Sequence, residues 1–144
     1  PIPPSYQNNT RYGGLHINLG RNENRSFRPS DVLMLDATLG LVSVSQHEQP
    51  FKEQMIERRK YYGRAGEYRM KTFPGNKSGL EYRTLPASTW ATMGATGLFS
   101  CLQTLDARNV KSFFPYYKDI QNAINTCDGE AATDLLTTMK VCPL

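Results

Sequence analysis

No stretch of this chain approaches the roughly 20 consecutive apolar residues that a membrane-spanning helix requires, so no membrane partner is expected. Its first residues, PIPPSYQNNTRYGG, lack the basic start and apolar run of a secretory signal. They also lack an initiating Met, and the chain is expected either to have lost a segment or to begin part-way through a longer product. Cysteine is scarce, at Cys101, Cys127 and Cys142. No two lie at CxxC spacing, which disfavours a zinc framework. Free structural thiols in a reducing cytoplasm are the simplest reading, although the spacing also permits a bridge between Cys127 and Cys142. There is no GxxxxGK[ST] for a P-loop, no GxGxxG for a dinucleotide and no GxSxG nucleophile elbow. No internal repeat or low-complexity segment occurs.

What is present suits one domain, or part of a larger one. The chain has 144 residues, 39% hydrophobic, with a mean hydropathy of −0.53. Its net charge of +4 is uneven. Residues 52–83 hold nine basic and four acidic side chains, whereas the segments on either side are balanced or slightly acidic. That segment should attract an anion: nucleotide phosphate, an acidic substrate or nucleic acid.

Residues 1–13 read as an irregular arm. In residues 14–20 Leu15, Ile17 and Leu19 alternate with His16 and Asn18, the period of a half-buried strand. A helix is predicted over 30–45, with Ser30 as N-cap and Val32, Leu35, Leu39 and Val42 as its apolar stripe. Another is expected over about 51–62, ending at Gly63. Two strands follow, 67–71 and 79–85, joined by a Pro-Gly-Asn turn as a hairpin. Helices over 88–105 (loosened by Gly94 and Gly97), 115–127 and 130–140 complete an α+β order. The expected architecture is an antiparallel β-sheet with helices packed on one face.

Three strands then offer polar side chains on one face: His16 and Asn18; Glu67, Arg69 and Lys71; Glu81 and Arg83. A carboxylate and an imidazole can hold a divalent cation. Guanidiniums grip phosphate or carboxylate oxygens through paired hydrogen bonds. Phosphoryl transfer to a carboxylate needs such a mixture. The bland reading is a sheet face that meets water, with ordinary cross-strand Glu–Arg pairs.

Four blocks carry a resemblance. Residues 13–20 (GGLHINLG) look like the Gly-Gly-His-Ile-His-Ile-Gly strand of the phage-type COOH.NH2 ligases (amidoligases), which are glutamine synthetase-like. Residues 35–40 (LDATLG) are similar to that family's LD..LG helix, and residues 58–69 (RRKYYGRAGEYR) resemble its RR..YG.AG.fR segment. Residues 79–85 (GLEYRTL), with Trp90, resemble G.EYR.L...W. The blocks occur in family order over about residues 13–90. The resemblance implies the C-terminal half of a glutamine synthetase-like ligase domain over 14–144. The implied reaction is ATP-dependent: a carboxylate is activated as an acyl phosphate, and an amine displaces the phosphate to give an amide.

The resemblance also implies roles. His16 and Glu81 match metal positions for Mg²⁺ or Mn²⁺. Arg83 matches a contact to substrate carboxylate or phosphate, and Arg58, Arg59, Arg64 and Arg69 fall where ATP and acyl phosphate are held. Of these, Arg83, Arg69 and Arg64 are assigned to catalysis, and Arg58, Arg59 and Asn18 to nucleotide binding. Asn18 departs from the family's second histidine, and an amide is a poor metal ligand. Peptide-like carboxylates and amines are the implied substrates, and an N-terminal ligase fragment or other phage proteins are implied partners, in the host cytoplasm or the virion. The competing expectations are a non-catalytic particle component, docking through residues 113–117 (FFPYY) and able to form oligomers, and a nucleic-acid module stacking bases on Tyr61, Tyr62, Tyr68 and Tyr82.

Overall fold

The computed structural model describes residues 13–20, 27–106 and 109–141, without the side chains of 104–106. Most of the expected irregular arm and Cys142 therefore lie outside the described residues. The fold is α+β. Strands β1 (Ile17–Gly20), β2 (Tyr68–Phe73) and β3 (Lys77–Tyr82) form one antiparallel sheet in the order β1-β3-β2. Five α-helices are described: α1 (Pro29–Leu35), α2 (Lys52–Arg59), α3 (Ala87–Asp106), α4 (Tyr117–Asn125) and α5 (Gly129–Thr138). No helix among the described residues is long and apolar enough to cross a membrane.

The expected β2–β3 hairpin forms, closed through Gly75 and Asn76, both at positive φ. Gly and Asn are the residues that tolerate that conformation. Strand β3 ends at Tyr82, short of the expected Leu85. Beyond it the Arg83 N–H still donates to the Glu67 carbonyl at 2.9 Å, and an isolated bridge joins Gly14 to Pro86. Ser30 is not the helix cap: Arg28 is, with Pro29 in the first turn, and the Asp31 carboxylate accepts the Arg28 backbone N–H at 2.7 Å. Past Leu35 the helical path continues through two π-helical turns, Asp36–Gly40 and Ser43–His47. Helix α3 is broken at Gly94, whose φ of 69° and ψ of 178° no helix accommodates.

The alternation read from the sequence sorts the sheet's two faces. Leu80 and Tyr82 of β3 are buried in the apolar core with Leu35, Leu39, Leu85, Phe113, Ile120 and Ile124, and Ile17 and Leu19 of β1 pack against it. The opposite face carries the polar set. Gly40 lets helix and sheet approach closely, because a Cβ there would lie 3.0 Å from the Tyr82 hydroxyl and 2.7 Å from Ile124.

Candidate functional site: a cationic face centred on Glu81

Strand register assembles the site. Asn18 and Arg69 flank Glu81 as its direct cross-strand partners, and one row along, Gly20 and Lys71 flank Gly79. Because side chains alternate, Arg69, Lys71, Glu81 and Arg83 emerge on one face. There the Glu81 carboxylate gathers the cations of Arg69, Lys71 and Arg83. Arg69 Nη2 donates to both its oxygens, at 3.0 and 3.2 Å. The Lys71 ammonium pairs with Oε2. Arg83 Nε stands 3.4 Å from Oε1, and His16 Nδ1 3.3 Å from the same oxygen.

The stems of these side chains leave Glu81 only 2% exposed, while Arg69 remains 58% and His16 39% exposed. Lys71 first, and then Arg69, hold the Glu81 carboxyl down to about 2. It is thus ionised at any ordinary pH. One negative charge faces three fixed positive ones, so the face keeps a surplus of positive charge directed at solvent. Such a face draws and orients oxyanions: phosphates or carboxylates.

The structure brings together His16, Asn18, Arg69, Glu81 and Arg83 from the expected site, and Lys71 with them. It does not bring Arg58, Arg59 or Arg64 there. Arg58 is fully buried. Its guanidinium donates to the carbonyls of Thr84 and Leu85, each at 2.9 Å, and stacks 4.8 Å from the Tyr62 ring centroid. Arg59, 3% exposed, pairs with the buried Glu48 at 2.7 Å and donates through Nε to the Gly63 carbonyl. Both guanidiniums are engaged inside the fold, so neither is free to grip a nucleotide as expected. Arg58 ties α2 to the chain leaving β3, and Arg59 ties it to Glu48 and to the turn that follows the helix. Arg64 is exposed, in the turn between α2 and β2.

Glu67, expected on the polar face, instead closes that turn by accepting the backbone N–H groups of Gly63 and Arg64. Gly63 and Gly66 both take positive φ there. Gly63 has no room for a Cβ against the Arg58 guanidinium.

Among the described residues no three His, Cys, Asp or Glu side chains gather as a metal cluster. Mg²⁺ at a nucleotide site is held by one or two carboxylates, with water and phosphate oxygens completing its shell. His16 and Glu81 provide one carboxylate and one imidazole, beside three cations that would repel the ion. Arg69, Lys71 and Arg83 already occupy the Glu81 carboxylate, so His16 and Glu81 by themselves make no closed divalent-metal site.

Sequence reasoning passes over two features. Asp36, inside the LDATLG block, lies buried beneath the sheet and accepts the Tyr82 hydroxyl at 2.6 Å. Burial pushes its carboxyl up to about 7, against hydrogen bonds from Tyr82 and the Gly66 backbone. Phe73 falls in the expected turn by its Pro-Gly neighbours. Extending the two-residue period from Arg69 and Lys71 by one step would have placed it on the cationic face.

The four tyrosines expected to stack bases do not share a surface. Tyr82 is buried, Tyr62 lies under Arg58, and Tyr68 pairs across to Tyr82 on the core side of the sheet. Compared with known family models, curated proteins and solved structures, the chain matches none.

Proposed function

We propose that this chain is the oxyanion-handling half of an ATP-dependent carboxylate–amine ligase of the glutamine synthetase-like class. The observation that carries the reading is the convergence of Arg69, Lys71 and Arg83 on Glu81, which leaves a cationic surplus at the open face of the sheet. In that role Glu81 positions the three cations rather than binding a metal. Gathered around Glu81, they take the oxygens of ATP and of the acidic substrate. A substrate carboxylate oxygen attacks the terminal phosphorus of ATP, ADP leaves, and the acyl phosphate forms. An amine then displaces inorganic phosphate to give the amide. Fixed cations stabilise the charge that develops on the transferring group.

Calorimetric titration with ATP tests the reading. Arg83→Ala and Arg69→Ala are each expected to weaken binding about tenfold, the loss of one charge-assisted contact of ~1.5 kcal/mol. Because three cations already occupy the Glu81 carboxylate, EDTA is expected to leave the affinity of the isolated chain unchanged. Affinity indifferent to both arginines would contradict the proposal. A second reading, a particle component, has one observation in its favour: an open apolar hollow of about 420 Å³ lined by Pro29, Ser30, Leu33, Phe114 and Tyr117. Assembly through it would be abolished by Phe114→Asp, as read by sedimentation.

A further inference from the structure

Phe73 has no evident reason to lie where it does. It is half-buried, yet it stands outside the apolar cluster that forms the core. It follows Arg69 and Lys71 at two-residue steps on β2, so it belongs to the cationic face. Its ring does not stay over its own row, where it pairs with Lys77. It folds back across the sheet onto the neighbouring row, Gly20–Gly79–Lys71. A Cβ at Gly79 would overlap the ring, and one at Gly20 would touch it at 3.8 Å. Two glycines, paired across β1 and β3, thus make a bare floor on which the Cδ2–Cε2 side of the ring rests. The next row is Asn18–Glu81–Arg69, about 7 Å away by the rise of two strand residues. An aromatic ring and a cationic cluster therefore sit side by side on one surface.

We propose that Phe73, seated on Gly20 and Gly79, is a nucleobase platform beside the phosphate-binding cations, and that the ligand of this face is a nucleoside polyphosphate. The inference rests on the anion-binding reading above and adds the nucleoside half of the ligand. A flat ring offers stacking to any base and no hydrogen-bonding code. ATP and GTP should accordingly bind alike.

The test compares ATP, GTP and inorganic triphosphate by calorimetry on the full chain and on Phe73→Leu and Phe73→Trp. Leucine keeps an apolar cover over the glycines but removes the aromatic face, and thermal unfolding checks that each variant folds. The expected result has four parts. The unaltered chain binds ATP and GTP about tenfold more tightly than triphosphate. Phe73→Leu removes that advantage, triphosphate affinity is unchanged, and Phe73→Trp restores the advantage. Two results would overturn the platform while leaving the anion reading intact: equal binding of triphosphate and ATP by the unaltered chain, or ATP binding indifferent to Phe73→Leu. A variant that weakens ATP and triphosphate equally would make Phe73 a structural cover and also overturn the platform. Failure of all three ligands to bind would overturn the anion reading and the platform together.

Discussion

Asp36 lies under the sheet with the Tyr82 hydroxyl donating to it and Gly66 closing over it. Burial raises its carboxyl from 3.8 to about 7. The native state thus holds a proton that the unfolded chain releases between about pH 4 and 7. In that window the native state binds more protons, so stability falls as pH rises, and the contribution is fully present only below about pH 4. Each tenfold change in proton affinity is worth ~1.4 kcal/mol, so the effect amounts to a few kcal/mol at most. Urea unfolding at pH 5 and pH 8 should show the loss in the unaltered chain and a smaller one in Asp36→Asn, which keeps an acceptor for Tyr82. Equal pH dependence in both would contradict the assignment. Arg58 supports a different expectation. Replacing it with Ala strands buried carbonyls at Thr84 and Leu85, so it should cost about 3 kcal/mol or more while leaving triphosphate affinity unchanged. The reading of Arg58 and Arg59 as nucleotide contacts fails because sequence shows a charge but not its burial. The carbonyls that Arg58 meets lie 26 and 27 residues on, and local periodicity shows neither these nor the Glu48 partner of Arg59.

The elements follow their local sequence more closely than the side-chain roles do. Period-two alternation places Leu80 and Tyr82 inward and Glu81 outward, and the Pro-Gly-Asn turn closes the hairpin as expected. The faces were therefore legible, and with them most of the cationic cluster. The ends were not, because the cap at Arg28 and the early end of β3 depend on turns that local periodicity does not encode. The π-helical turns after Leu35 likewise had no sequence signal. Helix α3 was expected to be loosened by its glycines, and Gly94 breaks it outright. Gly94→Ala meets no steric obstacle, since nothing lies within 4 Å, but its backbone conformation suits glycine alone. The substitution should cost about 1–3 kcal/mol in denaturant unfolding. An unchanged midpoint would show that the break is not required.

Across the whole molecule the charge excess of residues 52–83 is divided by the fold. Arg58 and Arg59 turn inward to satisfy the interior, while Arg69, Lys71 and Arg83 are gathered on the sheet by Glu81. Glu81 offsets their mutual repulsion. Glu81→Gln should lower the thermal midpoint, with a loss that shrinks as salt is added and screens the cations; a salt-independent loss would point to packing instead. The central claim is that the open sheet face is where an anionic ligand binds. Amide shifts of the nitrogen-15-labelled chain during titration with ATP test it most directly. The account predicts saturable shifts concentrated in residues 16–20, 69–73 and 79–83, with those of α4 and α5 undisturbed. Shifts confined to the helices, or none at all, would contradict it.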